Sequence, residues 1–220
     1  MREFNNIPYV ANIKGDEKQV VIILHGFDSS KDSPTAKMMM EELPKAGFGV
    51  IAFDMPGHGE NPVPRENLSV SGCLLALEGI EELVGQLAPQ AEISYFGSSF
   101  GAYIVLNALA LRPELERKAF LRSAAVNMPY LDFEEDEEAP AEFITEMQEG
   151  FDLMWNFGHS KSKFKMIHGT LDEDIAYRVA EFFAEKFEIE LSTVENGDHR
   201  LSGEGMPERV LKEAIEFFLR

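Results

Sequence analysis

The 220-residue sequence has a single cysteine, Cys73, and a single tryptophan, Trp155. One cysteine permits no intrachain disulfide and no thiolate metal cluster, so the chain must be held together by its core. The neighbours of Cys73, Gly72 and Leu74, point to a buried and inert thiol. Positive charge is also scarce: 20 Lys and Arg face 39 Asp and Glu, a net charge of −19. A field of that sign repels phosphate backbones and anionic lipid headgroups, so neither nucleic acid nor a membrane is an expected partner. No window approaches the ~18 consecutive apolar residues of a membrane span, and the opening MREFNNIPYV has no apolar run of the secretory kind. A cytoplasmic location is the expectation. There is no P-loop, no dinucleotide fingerprint and no Cys/His cluster, so no metal and no organic cofactor is implied.

What the sequence does hold is core-forming material: 45% hydrophobic residues, including 17 Phe. A chain of this length suits one domain and buries about 70% of its unfolded surface. Apolar runs alternate with helical patterns, the signature of βαβ units and a mainly parallel sheet flanked by helices on both faces, an α/β fold. The β-branched run Val20 to Leu24 reads as a strand buried on both faces. Further strands are expected at Gly49 to Phe53, Ile93 to Phe96, Lys118 to Leu121, Phe164 to His168 and Ile189 to Val194. Helices are expected at Thr35 to Ala46, after Pro34 and before Gly47, and at Ser69 to Leu87. Others follow at Phe100 to Leu111, stopped by Pro113, and at Ile175 to Lys186 and Pro207 to Leu219.

The stretch from about 127 to 163 breaks this rhythm. It carries the acids Asp132, Glu134, Glu135, Asp136, Glu137 and Glu138, then a helical pattern from Ala141 to Trp155. An insertion of that length between strands is longer than ordinary connections, and its aromatic residues argue for an ordered element. It reads as a small lid over one edge of the sheet. Met128, Met154 and Trp155 are its candidates for lining a substrate pocket, and packing onto the core is the competing use for them. The acidic run suits either a solvated face or a substrate amine.

The strongest chemical signal is Tyr95-Phe96-Gly97-Ser98-Ser99-Phe100-Gly101, a G-x-S-x-G pattern between a strand and a helix. Glycines at plus and minus two permit the sharp turn that would project Ser99 Oγ above the sheet. A serine hydroxyl needs a base. Of five histidines, only His199, in Asn196-Gly197-Asp198-His199-Arg200, lies downstream of both the serine and a suitable carboxylate. That carboxylate is Asp172, after the strand ending near His168, with Glu173 and Asp174 as adjacent rivals. Oxyanion stabilisation calls for pre-aimed donors, for which the N–H groups of Phe27, in Leu24-His25-Gly26-Phe27, and of Phe100 are the pair. His25 and His58 are assigned to bracing loops.

The order Ser99, Asp172, His199, with LHGF upstream and DMPGHG between, resembles the alpha/beta-hydrolase superfamily over nearly the whole chain. It is similar in particular to small lidded carboxylesterases, the feruloyl or cinnamoyl esterase-like members included. His168, Gly169 and Asp172 meet the family pattern H-G-x-x-D, and Asp54 to Asn61 follow D-x-x-G-x-G-x-S with Asn61 in the last place. Ser98 stands before the nucleophile where close relatives carry His or Glu. The arm before Val20 is short for the full opening strands of larger members. The resemblance implies a covalent acyl-enzyme on Ser99 and a small-molecule ester as substrate. A proline iminopeptidase-like aminopeptidase and a non-catalytic hydrolase-fold binding protein share part of the pattern. Nothing in the sequence sets an oligomeric state.

Overall fold

Runs of β-branched and aromatic residues bounded by glycine and proline build the centre of the molecule, seen in a computed structural model that describes residues 2–131 and 139–220. Eight strands form one sheet: β1 (Arg2–Phe4), β2 (Ile7–Asn12), β3 (Gln19–Leu24), β4 (Gly49–Phe53), β5 (Glu92–Ser98), β6 (Lys118–Arg122), β7 (Lys163–Gly169) and β8 (Glu190–Val194). Their order across the sheet is β1-β2-β4-β3-β5-β6-β7-β8. From β4 to β8 every pairing is parallel, while β1 with β2 and β2 with β4 are antiparallel. The short arm before Val20 supplies two opening strands, of three and six residues. Asn5 and Asn6 take positive φ, at 51° and 64°, and so turn the chain in two residues. Asparagine tolerates that region, and a three-residue strand then pairs with a six-residue one.

Because successive side chains of a strand point to opposite faces, each buried strand feeds two cores. Val20, Ile22 and Leu24 pack with α2 (Val70–Leu87), α3 (Phe100–Leu111) and α6 (Tyr177–Lys186). Val21 and Ile23 pack on the other face with α1 (Pro34–Glu42) and α7 (Met206–Leu219). Helix α3 is buried on all sides from Phe100 to Leu109, which anchors the residue before it. The expected helix to Ala46 changes at Leu43 to a 3-10 turn, where Pro44 removes a backbone donor, and ends at Gly47 with φ 92°.

Between β6 and β7 stand α4 (Ala141–Gly150) and the one-turn α5 (Leu153–Asn156) in place of one continuous helix. The break falls where Asp152 turns its carboxylate to the Met154 N–H (2.9 Å), opening a new helix instead of continuing the old one. Helix α4 is fastened from two directions. Phe143 and Met147 are buried in the core, and the Glu146 carboxylate accepts the Val70 N–H (2.6 Å) and the Ser71 N–H (3.0 Å) at the start of α2. The acidic run 132–138 lies outside the described residues. Among the described residues no helix is long and apolar enough to cross a membrane, and no His/Cys/Asp/Glu group is arranged to hold a metal ion.

Candidate active site

Strand β5 ends at Ser98 and α3 begins at Phe100, so Ser99 alone makes the reversal, at φ 50° and ψ −113°. A non-glycine residue there is strained, by about 1–3 kcal/mol, and holds only because its surroundings over-determine it. Here they do. The Ser99 N–H donates to the Arg122 carbonyl (2.9 Å), and the Ser99 carbonyl accepts the N–H groups of Ala102 (3.0 Å), Tyr103 (3.1 Å) and Ala125 (3.3 Å). The two flanking glycines make the approach possible. A Cβ on Gly97 would stand 2.6 Å from Ala102 Cα, and one on Gly101 would stand 2.5 Å from the His25 carbonyl oxygen.

The turn delivers the Ser99 hydroxyl to His199, with Oγ 3.0 Å from Nε2. The opposite nitrogen, Nδ1, is 2.9 Å from each oxygen of Asp172. A carboxylate can only accept, so Nδ1 carries the proton and Nε2 presents a lone pair to the serine O–H. Asp172 is fully buried at its side chain and has further partners. Its Oδ1 accepts the N–H groups of Asp174 (3.1 Å) and Ile175 (2.8 Å), and its Oδ2 is 3.0 Å from His168 Nε2. Burial by itself would raise the Asp172 pKa. The hydrogen bonds from His168 and His199, the Ile175 N–H and the His199 charge outweigh it and hold the carboxyl well below the usual range. The sequence left Glu173 and Asp174 open beside Asp172. Glu173 is exposed, and Asp174, about two-thirds exposed, comes no nearer than 3.6 Å, on the Nε2 side. The Asp198 carboxylate turns away to the Ser202 N–H and hydroxyl. The structure therefore joins Ser99, His199 and Asp172 in one hydrogen-bonded line.

The sequence shows His168 only as part of a motif, and nothing in that motif marks its contact with Asp172. Both neighbours of its Nε2, Asp172 Oδ2 and the Ile175 carbonyl (2.9 Å), are acceptors, so that nitrogen carries the proton. Among the described residues its buried Nδ1 has no hydrogen-bond partner.

Across from the serine, Gly26 brings the loop after β3 close: a Cβ on it would lie 3.4 Å from Ser99 Cβ. Phe27 follows directly, and Phe100 is the first residue of α3, where an N–H has no intrahelical acceptor. Two histidines brace this loop. His25 Nδ1 is 2.8 Å from the Gly26 carbonyl, and its Nε2 accepts the Met55 N–H (3.1 Å). Burial draws the His25 pKa down to about 4, so the ring is neutral. His58 Nδ1 meets the Pro56 carbonyl (2.9 Å), and Arg65 donates to its Nε2 (2.8 Å). The Arg65 guanidinium lies 3.9 Å over the Phe27 ring, beside an open cleft of about 550 Å³ lined in part by Asp28, Ser30, Ser33 and His58.

The insertion reaches this place through Phe143. Its ring stacks on Phe27 (6.1 Å between centroids) and meets Phe100 edge-on (5.7 Å). No sequence signal marked it. The three expected lining residues differ in their surroundings. Met128 is buried in the core and Met154 packs partly against it. Trp155 is 80% exposed, its indole N–H 3.4 Å from the Tyr130 hydroxyl and its ring 5.7 Å from Lys186 Nζ.

A proton can pass along this line from hydroxyl to imidazole while the carboxylate steadies the resulting cation. The profile of the family described as alpha/beta hydrolase fold matches residues 19–194. No curated protein matches the chain. Among solved structures, Est1E from Butyrivibrio proteoclasticus with ferulic acid bound superposes with a TM-score of 0.83 at 17% identity, over 99% of this chain and 98% of that one. Alpha/beta hydrolase domain-containing protein 10 from mouse gives a TM-score of 0.77 at 17% identity, over 99% and 96%. A monoacylglycerol lipase from Paleococcus ferrophilus gives 0.72 at 18% identity, over 96% and 97%. At such identities the likeness is one of fold.

Proposed function

The chain belongs to the alpha/beta-hydrolase family, and from that premise we propose that it is a serine hydrolase cleaving carboxylic esters of small or medium acyl and aryl groups. The observation that carries the reading is the line of contacts from Ser99 Oγ to His199 Nε2 (3.0 Å) and from His199 Nδ1 to Asp172 (2.9 Å). In the proposed reaction Ser99 Oγ attacks the ester carbonyl as Nε2 takes its proton. The N–H groups of Phe27 and Phe100 receive the developing oxyanion. Collapse expels the alcohol, which takes the proton back from His199. Water, deprotonated by the same nitrogen, then releases the acid and regenerates Ser99. Asp172 keeps Nδ1 protonated and the ring in place throughout.

Substrate preference follows from the surroundings. Phe143 closes the aromatic side of Phe27 and Phe100, and the cleft beside Phe27 has serine, histidine and arginine walls. That lining favours short or aryl acyl groups over long alkyl chains. In this reading α4 and α5 form the lid.

A series of p-nitrophenyl and aryl esters, with Ser99→Ala as control, tests the reading. Turnover of short and aryl esters that vanishes in the control supports it. Preferential turnover of aminoacyl-naphthylamides would point to a peptidase, and inertness toward both would remove the enzymatic reading.

A further inference from the structure

Strand β6 lies between the strand that delivers Ser99 and the strand that leads to Asp172. Its last residue, Arg122, and the next one, Ser123, reach both sides. Toward the elbow, the Arg122 carbonyl accepts the Ser99 N–H (2.9 Å) and Arg122 Nε donates to Ser98 Oγ (3.1 Å). Toward the histidine loop, Ser123 Oγ donates to the His199 carbonyl (2.7 Å) and Arg122 Nη1 donates to the Arg200 carbonyl. The Ser123 N–H is bonded to Ile167 O of β7 (2.9 Å).

These two bonds stand apart from the loop's other attachments. Among the described residues, the remaining hydrogen bonds of backbone 195–202 run within the loop or to the β7–β8 side: Gly197 N–H to Val194, Asn196 N–H to Thr170 Oγ1, and Leu171 N–H to Gly197. Among the described residues, only Arg122 and Ser123 tie the loop's backbone to the side of the sheet that bears Ser99.

The local backbone suggests that the hydroxyl is used. Ser123 is fully buried and sits at φ 48°, a region glycine enters without steric cost. A serine held there keeps a donor aimed at His199 that glycine would lack. Arg122 is half-buried, and desolvation draws its pKa down to about 10, with Asp198 and Asp172 acting the other way, so it remains a cation at neutral pH.

We propose that Arg122 and Ser123 are positioning residues that set the distance between the Ser99 elbow and the His199 ring. Neither touches the reacting atoms. The inference rests on the serine-hydrolase reading, because it assigns these bonds to the alignment of Ser99 with its base. Misplacement of reacting groups by about 1 Å costs on the order of a hundred-fold in rate, so loosening the loop should act on turnover more than on substrate binding.

The test uses three variants in the full chain: Ser123→Gly, Ser123→Ala and Arg122→Lys, the last keeping the charge but not the fork of donors. Folding is checked by thermal melting. Ser123→Gly suits the backbone at this position and is the decisive variant should Ser123→Ala fail to fold. With a p-nitrophenyl ester, kcat should fall about 10- to 100-fold while KM stays within about two-fold of the parent. A folded Ser123→Gly protein with parental kcat, or with its loss confined to KM, overturns the proposal.

A second readout does not need turnover. The low-field proton resonance of His199 Nδ1–H, identified by its loss in His199→Ala, should broaden or vanish in Ser123→Gly and Arg122→Lys. An unchanged resonance in both overturns the positioning role. A parent protein that turns over no ester contradicts the hydrolase reading instead, and the resonance then decides the positioning claim separately.

Discussion

Ser99, the proposed nucleophile, stands at φ 50° in a strained reversal that three acceptor contacts and one donor contact maintain. In the proposed mechanism it acts with His199 and Asp172 as a unit, so Ser99→Ala and His199→Ala should each lower kcat by several orders of magnitude, about 10⁴-fold or more, with similar residual rates. Steady-state ester kinetics on the two purified proteins check this. Asp172→Asn should be nearly as severe, whereas Asp174→Asn should change kcat less than about ten-fold, since no Nδ1 contact is lost. Acid stability is set at other residues. Burial draws the His25 pKa from 6.5 down to about 4, and burial lowers that of His58 as well. The unfolded chain therefore takes up protons before the folded one as pH falls. The stability that His25 contributes is whole above pH 6.5 and is lost between 6.5 and about 4, by up to about 3 kcal/mol. Thermal melting across that window should show a falling midpoint, less steep in His25→Asn. At this scale the contacts joining Ser99, His199 and Asp172 could be anticipated from the sequence, because the residue types suit one another and their chain order matches the family pattern. Ser123 and Arg122 were not. They act on backbone carbonyls, and a bond to a carbonyl leaves no mark in the partner's identity.

Strands and helices were legible wherever burial is two-sided or strongly periodic. The run Val20 to Leu24 could be read as a central strand from its composition, and β3 occupies Gln19–Leu24. The opening pair β1 and β2 escaped notice, since Arg2, Glu3 and Asn12 give a half-exposed edge little apolar pattern. The break between α4 and α5 was hidden as well, because the apolar spacing continues across Phe151 while the Asp152 carboxylate redirects the backbone. Two elements make distinct predictions. On α3, Gly101→Ala places a methyl against the Leu24 and His25 carbonyls. It should cost about 1–3 kcal/mol in urea unfolding and depress turnover by shifting Ser99. On α4, Phe143→Ala removes a fully buried ring that packs against both Phe27 and Phe100. It should cost about 3–5 kcal/mol and widen the accepted acyl chain in an ester series. Loss of stability without any change in chain-length preference would confine Phe143 to packing.

For the molecule as a whole, the parallel run from β4 to β8 brings the ends of β3, β5, β6 and β7 to one edge of the sheet. Phe27, Ser99, Ser123 and Asp172 follow those strand ends, as ligand sites in open α/β sheets do. Helices on both faces free that edge for chemistry. The charge of −19 is a property at the same scale. Its self-repulsion is screened when salt shortens the Debye length from about 30 to about 8 Å, so the melting midpoint should rise by a few degrees between ~0.01 and ~0.15 M salt. A midpoint that falls would mean that ion pairs such as Lys31 with Asp54 and Glu60 outweigh the net repulsion. The central claim is that Ser99 is a nucleophile activated by His199. Intact-mass and peptide analysis after exposure to a fluorophosphonate tests it most directly. The account predicts a single adduct on Ser99, none in Ser99→Ala and a greatly slowed one in His199→Ala. A folded protein that stays unlabelled, or that carries its label on another residue, would contradict it.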